Sequence, residues 1–327
     1  MLRHLVITNC DYKTLFLSLV SVLVLSVTPS LAHEVGQLRK VEDAFNTKRY
    51  AEAETMLKRL ADSNPRAAWI LGDLYMGGRG VPPNPIKARE LWEHATAAGD
   101  QDAMCSLASL LNDGGATDRK RALALYEKSA SLGCVHAQFN MGLECMWGRV
   151  TRQDYSRALT YFQSGAKTGD GNAECLLAHL YESGLGASKD LHRAASLMKL
   201  ATVHGCALGE YQIGRTYLQG LGMPKDYDKA YYWLSKGAAD GNPHAMNDLG
   251  NMYADGRGVK VDDKKGLEWS IKAEKNGCPM AKYNLAERYR TGHGLPKDLK
   301  KARARYEELA KVGDKKSAEK LKLISSD

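Results

Sequence analysis

Residues Ala245 to Gly277 read AMNDLGNMYADGRGVKVDDKKGLEWSIKAEKNG, and the same unit recurs almost without interruption from Ala67 to Gly313. Its opening small residue falls at Ala67, Ala103, Ala137, Ala173, Gly209, Ala245 and Ala281, a step of 36 residues except for 34 between the second and third copies. At offset +4 stands a bulky apolar residue (Leu71, Leu107, Met141, Leu177, Ile213, Leu249, Leu285), at +5 a Gly or Ala, and at +8 Tyr75, Leu111, Cys145, Tyr181, Tyr217, Tyr253 or Tyr289. Offsets 0, 4, 5 and 8 share one side of an α-helix, so the first half of each copy reads as an amphipathic helix. The small residue at +5 lets a second helix approach closely.

That second helix opens on its own small residue: Ala88, Ala122, Ala158, Ala194, Ala230, Gly266 and Ala302. It stops at Gly99, Gly133, Gly169, Gly205, Gly241, Gly277 and Gly313, where a left-handed position after the helix favours a residue without Cβ. Another glycine recurs between the helices, and five copies add a second one two residues later (GRGV, GLGA, GLGM, GRGV, GHGL). One helical hairpin of this size cannot bury its apolar side alone, whereas seven stacked hairpins create a continuous core. The expected fold is all-α, a right-handed α-solenoid.

The pattern A-x3-LG-x2-Y-x2-G-x-GV-x-KD-x2-KA-x2-W, seen in Tyr211 to Trp233 and Ala245 to Trp269, resembles the Sel-1-like repeat family, relatives of the tetratricopeptide repeat with a longer interhelical loop. Seven registered copies make the match specific. Copy two departs from it with a loop two residues short (GGATDRK), and copy three reads GRVTRQD without the second glycine, which puts loop geometry in doubt at those two places. The expected division is a signal peptide at 1–32, a tetratricopeptide-like capping hairpin at 33–66, repeats at 67–102, 103–136, 137–172, 173–208, 209–244, 245–280 and 281–314, and a basic cap at 315–327.

The N-terminus reads as an export signal. Leu15 to Val27 is an uncharged apolar run, preceded by Arg3, His4 and Lys13 and followed by Ser30-Leu31-Ala32, with cleavage expected after Ala32. In a bacterial cell this directs the chain to the periplasm, with no stable membrane insertion once the signal is removed. The alternatives are secretion, or an uncleaved N-terminal anchor. Export argues against nucleic acid as a partner.

Charge gathers at the other end. Of a net +8, residues 281 to 327 carry +6, with 13 Lys and Arg against 7 Asp and Glu. This leaves open a solvated end face, or a contact for an acidic partner or an anionic membrane.

Six cysteines lie beyond the signal, an even number in a compartment that permits disulfides. Cys105 and Cys175 occupy +2 in copies two and four, while Cys134, Cys206 and Cys278 directly follow a terminal glycine. The start of a first helix and the end of its second helix lie at the same end of a hairpin, so Cys105 with Cys134 and Cys175 with Cys206 are candidate disulfides. The alternative is that all six stay reduced as small apolar residues. Cys278 is left without a partner because Asn247 stands where one is expected, and Cys145 reads as a buried thiol.

The other copies place Trp69, Phe139, Tyr211 and Tyr283 at +2, beside Asp73, Leu143, Arg215 and Glu287 at +6. First helices line the inner curve of such solenoids, so Trp69, Phe139, Tyr211, Arg215 and Tyr283 are the candidate binding residues of a concave groove, with rigid rings as anchors. The alternative is that these rings pack on neighbouring loops and meet no ligand.

No HExxH, CxxC, G-x-S-x-G or Walker-type loop is present, and the GxG loops follow no strand. The histidines are scattered, so no catalytic residue, metal or cofactor is proposed from the sequence. The resemblance implies a non-catalytic adaptor or scaffold that docks another protein, an envelope-assembly component or a secreted effector. Exported relatives are similar to immunity proteins that neutralise type VI secretion effectors such as phospholipases. A cell-wall or β-lactam hydrolase, an activity attached to some cysteine-rich relatives, is the remaining alternative, and it needs a convergent polar pocket.

Overall fold

The computed structural model describes residues 29–206 and 208–324, so the apolar run and its charged flank lie outside the described residues. These residues form seventeen helices and no strand. An N-terminal hairpin, α1 (Pro29–Asn46) and α2 (Tyr50–Leu60), is followed by seven helical pairs. The pairs are α3 (Pro65–Gly77) with α4 (Pro85–Ala97), α5 (Gln101–Asn112) with α6 (Ala116–Ser131), α7 (Val135–Trp147) with α8 (Tyr155–Lys167), and α9 (Gly171–Ser183) with α10 (Leu191–Val203). Then come α11 (Gly209–Gln219) with α12 (Tyr227–Ala239), α13 (Pro243–Asp255) with α14 (Asp263–Lys275), and α15 (Pro279–Thr291) with α16 (Leu299–Lys311), closed by α17 (Lys315–Ile324). The residue expected to precede signal cleavage, Ala32, falls inside α1.

The chain divides into two compact units, Met1–Thr168 and Gly169–Asp327. The expected all-α stack of helical pairs is present in each unit, and each is described by itself. A stacked pair needs only its neighbours, so three pairs closed by a hairpin, or four closed by one helix, suffice. In the first unit Val41, Ala53, Leu57, Leu74, Ala88 and Leu107 are fully buried. In the second the same holds for Ala230, Leu234, Ala245, Met252, Ala281 and Leu285.

Within a pair, the small +5 residue does what its position requires. A Cβ on Gly142 would lie 2.5 Å from the Phe162 ring, and one on Gly72 the same distance from Trp92 Nε1. The loop is closed by one recurring bond, in which the residue before the second helix donates its backbone N–H to the carbonyl of the +8 residue: Asp190 to Tyr181, Asp226 to Tyr217, Asp262 to Tyr253 and Asp298 to Tyr289. The same Asp side chains cap the second helices, accepting from Arg193, Lys229, Lys265 and Lys301 N–H. The cation three residues past the cap lies over the +8 ring, with Arg193 4.5 Å from the Tyr181 centroid and Lys229 5.5 Å from that of Tyr217. The KD-x2-KA stretch of the repeat is thus a loop clasp.

The second glycine has an intercopy role. Gly222 has φ 71°, and a Cβ there would sit 2.0 Å from the Leu191 carbonyl oxygen at the start of the preceding second helix. Copy two absorbs its short loop by starting α6 early, giving 16 residues against 13 in α4. Copy three holds its loop with a side chain instead: the Glu144 carboxylate accepts from Val150 N–H at 2.6 Å and Thr151 N–H at 2.9 Å.

Candidate binding face

Two of the four rings at +2 do not face solvent. Trp69 and Phe139 are each only 1% exposed. Trp69 donates from Nε1 to Ser106 Oγ at 2.9 Å, a residue at +3 of the next copy, and Arg66 stacks 4.0 Å over its ring. Phe139 packs on Phe162 with centroids 5.8 Å apart. In the second unit Asn284 Nδ2, at +3, donates to Asn247 Oδ1, at +2 of the copy before, at 3.0 Å. The +2 residue is therefore the seam between successive first helices. As surface anchors Trp69 and Phe139 are corrected to core residues, since Trp69 is covered by the next first helix and Phe139 packs on Phe162 of its own pair's second helix.

Tyr211, Arg215 and Tyr283 are half-buried. Burial, with the Asp248 carboxylate nearby, pushes the Tyr211 hydroxyl up to about 12, and the ring lies 5.6 Å from that of His244. Tyr283 meets Tyr306 edge-on at 5.8 Å. Arg215 Nη2 donates to Glu182 Oε1 at 2.5 Å.

The residues left at the surface of the first helices stand at +3 and +6. In the second unit these are His179, Gln212, Arg215, Asp248, Asn251, Asn284 and Glu287, all half-buried. Asp248 differs from its acidic neighbours. Glu182 is paired with Arg215, and Glu287 with Arg290 at 2.7 Å and Lys320 at 3.3 Å, whereas Asp248 takes only an amide hydrogen bond from Asn247 among the described residues. Burial raises its carboxyl to about 6. In the first unit the equivalent residues are Asp73, Ser106 and Ser109. Burial pushes Asp73 up to about 7, with the charge of Asp102 adding to it and Arg66 and Arg79 opposing. Offset +6 was legible as outward-facing; +3 was missed because the helical net places it only 100° from the +2 seam.

The six described cysteines are buried thiols. Cys134 and Cys278 stand as N-caps of α7 and α15 without a side-chain cap bond, where α5, α9 and α13 have Asp100, Asp170 and Asn242. The structure brings both predicted pairs together. A hydrogen bond from Cys105, helped by His136, holds Cys134 down at about 6 against the effect of burial. A hydrogen bond from Cys175, with the Leu208 and Gly209 N–H groups, lowers Cys206 and correspondingly raises Cys175. A second thiol–imidazole contact joins Cys278 Sγ and His244 Nδ1 at 3.7 Å, but burial raises that thiol and it is 1% exposed. Among the described residues no group of three or more His, Cys, Asp or Glu could hold a metal ion, and no helix is long and apolar enough to cross a membrane.

Helical pairs clasped by a glycine loop, stacked through first-helix seams and presenting a polar row, define a helical-repeat protein. The chain belongs to the Sel1 repeat family, whose pattern matches residues 65–100, 101–134, 135–170, 171–202, 207–242, 243–278 and 279–314. Among solved structures it is similar to a Sel1 repeat protein from Oxalobacter formigenes, at 28% identity and a TM-score of 0.61 over 87% of this chain and 86% of that one. It is also similar to c5321, a protective antigen present in uropathogenic Escherichia coli strains that displays an SLR fold, at 26% identity and a TM-score of 0.68 over 83% of this chain. The present chain spans 59% of that antigen's length. A comparison with curated protein sequences returned no match.

Proposed function

We propose that this chain is a non-catalytic docking scaffold, exported to the periplasm, that binds another protein on the first-helix faces of its repeats. The observation that supports this reading is the +3/+6 row of the second unit. Gln212, Arg215, Asp248, Asn251 and Asn284 offer donors and acceptors on successive rigid helices, and Asp248 is held partly desolvated, with the Arg215 charge near it but engaged by Glu182. A polar group kept in that state gains from a partner that pairs it. Tyr211 supplies the aromatic contact beside it, so the groove reading is kept with its anchors moved from Trp69 and Phe139 to this row.

The test is capture from envelope extract with wild-type protein and with an Arg215→Ala, Asp248→Ala double variant. One dominant partner, lost from the variant, supports the proposal, and its identity separates an assembly component from a delivered toxin, which would make the protein an immunity factor. Equal recovery by both proteins rejects this row as the docking site. Fractionation of cells, with the mature mass read on the periplasmic pool, tests export and cleavage after Ala32.

A further inference from the structure

The last helix carries a surface that the docking reading does not use. In register with the seven copies, α17 is the first helix of an eighth pair: Ser317 stands at offset 0 and is fully buried, Leu321 stands at +4, and Asp314 caps the helix through Ser317 N–H as Asp100 and Asp170 cap theirs. Where the other copies have Gly or Ala at +5 to seat a second helix, α17 has Lys322. Where a +2 residue forms the seam with the next copy, it has the exposed Glu319. A long cation thus stands at the seat and a carboxylate at the seam.

The exposed residues of α17 are Lys315, Lys316, Glu319, Lys322 and Leu323. At 3.6 residues per turn they fall in one stripe about 120° wide. The exposed surface continues through Lys311, the last residue of α16, and Val312 in the turn that leads into α17. Lys311, Lys315 and Lys316 make no ion pair among the described residues, while most other basic side chains nearby do: Lys282 with Glu308, Arg290 and Lys320 with Glu287, Arg305 with Glu274. The apolar members are well exposed, Val312 at 81% and Leu323 at 61%. Met280, 60% exposed, lies at the same end of the last pair, two residues before the Lys282 that reaches Glu308.

We infer that this end face is a docking surface for an anionic lipid bilayer. Charge complementarity names the occupant's sign, since four lysines face one carboxylate on the stripe. The exposed valine and leucine name its kind. Apolar tips flanked by lysines are what an interfacial helix places at the headgroup boundary, and a bilayer accepts them without shape complementarity. The attachment is peripheral and reversible, and it leaves the first-helix faces free for a protein.

The experiment is co-sedimentation of the full chain with vesicles of mixed phosphatidylglycerol and phosphatidylcholine, against vesicles of phosphatidylcholine alone, at low and high salt. Wild type partitions onto the anionic vesicles and is released by salt. Lys311→Gln, Lys315→Gln and Lys316→Gln together reduce partitioning about a hundredfold, and Val312→Asp with Leu323→Asp also reduces it. All five positions are exposed, so the variants keep the wild-type helical circular dichroism. The N-terminal apolar run is common to every variant; hydrogen exchange over 309–324, slowed by anionic vesicles, locates the contact. Equal binding to both vesicle types, an unaffected triple variant, or unchanged exchange over 309–324 overturns the inference. Binding of poly-glutamate without vesicle binding also overturns it, and reassigns the patch to an acidic protein.

Discussion

Oxidising the two cysteine pairs should stabilise the protein, each within its own unit. Cys105 and Cys134 are 29 residues apart in sequence, and Cys175 and Cys206 are 31. Cross-linking a loop of about 30 residues removes roughly 12 cal/mol/K of chain entropy from the unfolded state, or about 3.6 kcal/mol per bridge when the native geometry is unstrained. The thiols of each pair are near enough to couple electrostatically, and closure requires Cys134 Sγ to turn from Asp102 Oδ1, at 3.4 Å, and Cys175 Sγ from Met198 Sδ, at 3.9 Å. A cysteine at the N-cap forgoes about 1 kcal/mol that Asp or Asn would give, which a bridge more than offsets. Cys134, held down at about 6 by Cys105 and His136 but 3% exposed, is the better attacking thiol of its pair once local opening exposes it. With glutathione disulfide as oxidant it forms a mixed disulfide and releases one glutathione thiolate; Cys105 then displaces the second, losing its proton. The assay is intact mass with and without reductant, followed by denaturant melts of both forms. The account expects two bridges, each a loss of two hydrogens, and melts shifted upward on oxidation by several kcal/mol in total. No mass deficit under oxidant, or identical melts, refutes it.

Gly222→Ala should destabilise the second unit by about 1–3 kcal/mol, because φ is 71° and the new Cβ meets the Leu191 carbonyl; urea melts check this. Gly142→Ala should cost about 1–3 kcal/mol in the first unit by overpacking against Phe162, again read in urea. Asp248 has its folded carboxyl raised to about 6 from an ordinary 3.8, so the stability it contributes is present below pH 4 and lost as pH rises through 6. Asp248→Asn should therefore melt like wild type near pH 4 and gain about 2–3 kcal/mol at pH 7.5, and a pH-independent difference contradicts the assignment. Trp69→Phe and Phe139→Leu should lower stability yet leave capture of the docking partner intact, since both rings are core.

The paired helices, the small +5 residue and the terminal glycines were legible because each is a local requirement repeated seven times. Gly99 and Gly133, for example, have φ of 94° and 99°, a conformation that alanine rarely adopts. The candidate site was half legible. Offset +6 reads as outward-facing in the sequence, but whether +2 or +3 reaches solvent depends on how one first helix rotates against the next, and that is set by tertiary stacking. The same limit hid the loop clasp: Lys229 follows Asp226 at a spacing that reads as ordinary helix charge until the Tyr217 ring is seen beneath it. Glu144, too, reads as surface charge in sequence, and only the folded loop of copy three shows why it is buried. The division after Thr168 left no mark in the repeat, because copies three and four keep the 36-residue step.

Hydrogen exchange on the complex with the captured partner tests the central claim most directly. Recognition by the polar row predicts slowed exchange in α11, α13 and α15, with α12 and α14 unchanged. Protection confined to α12 and α14, with the first helices exchanging as in the free protein, would contradict it.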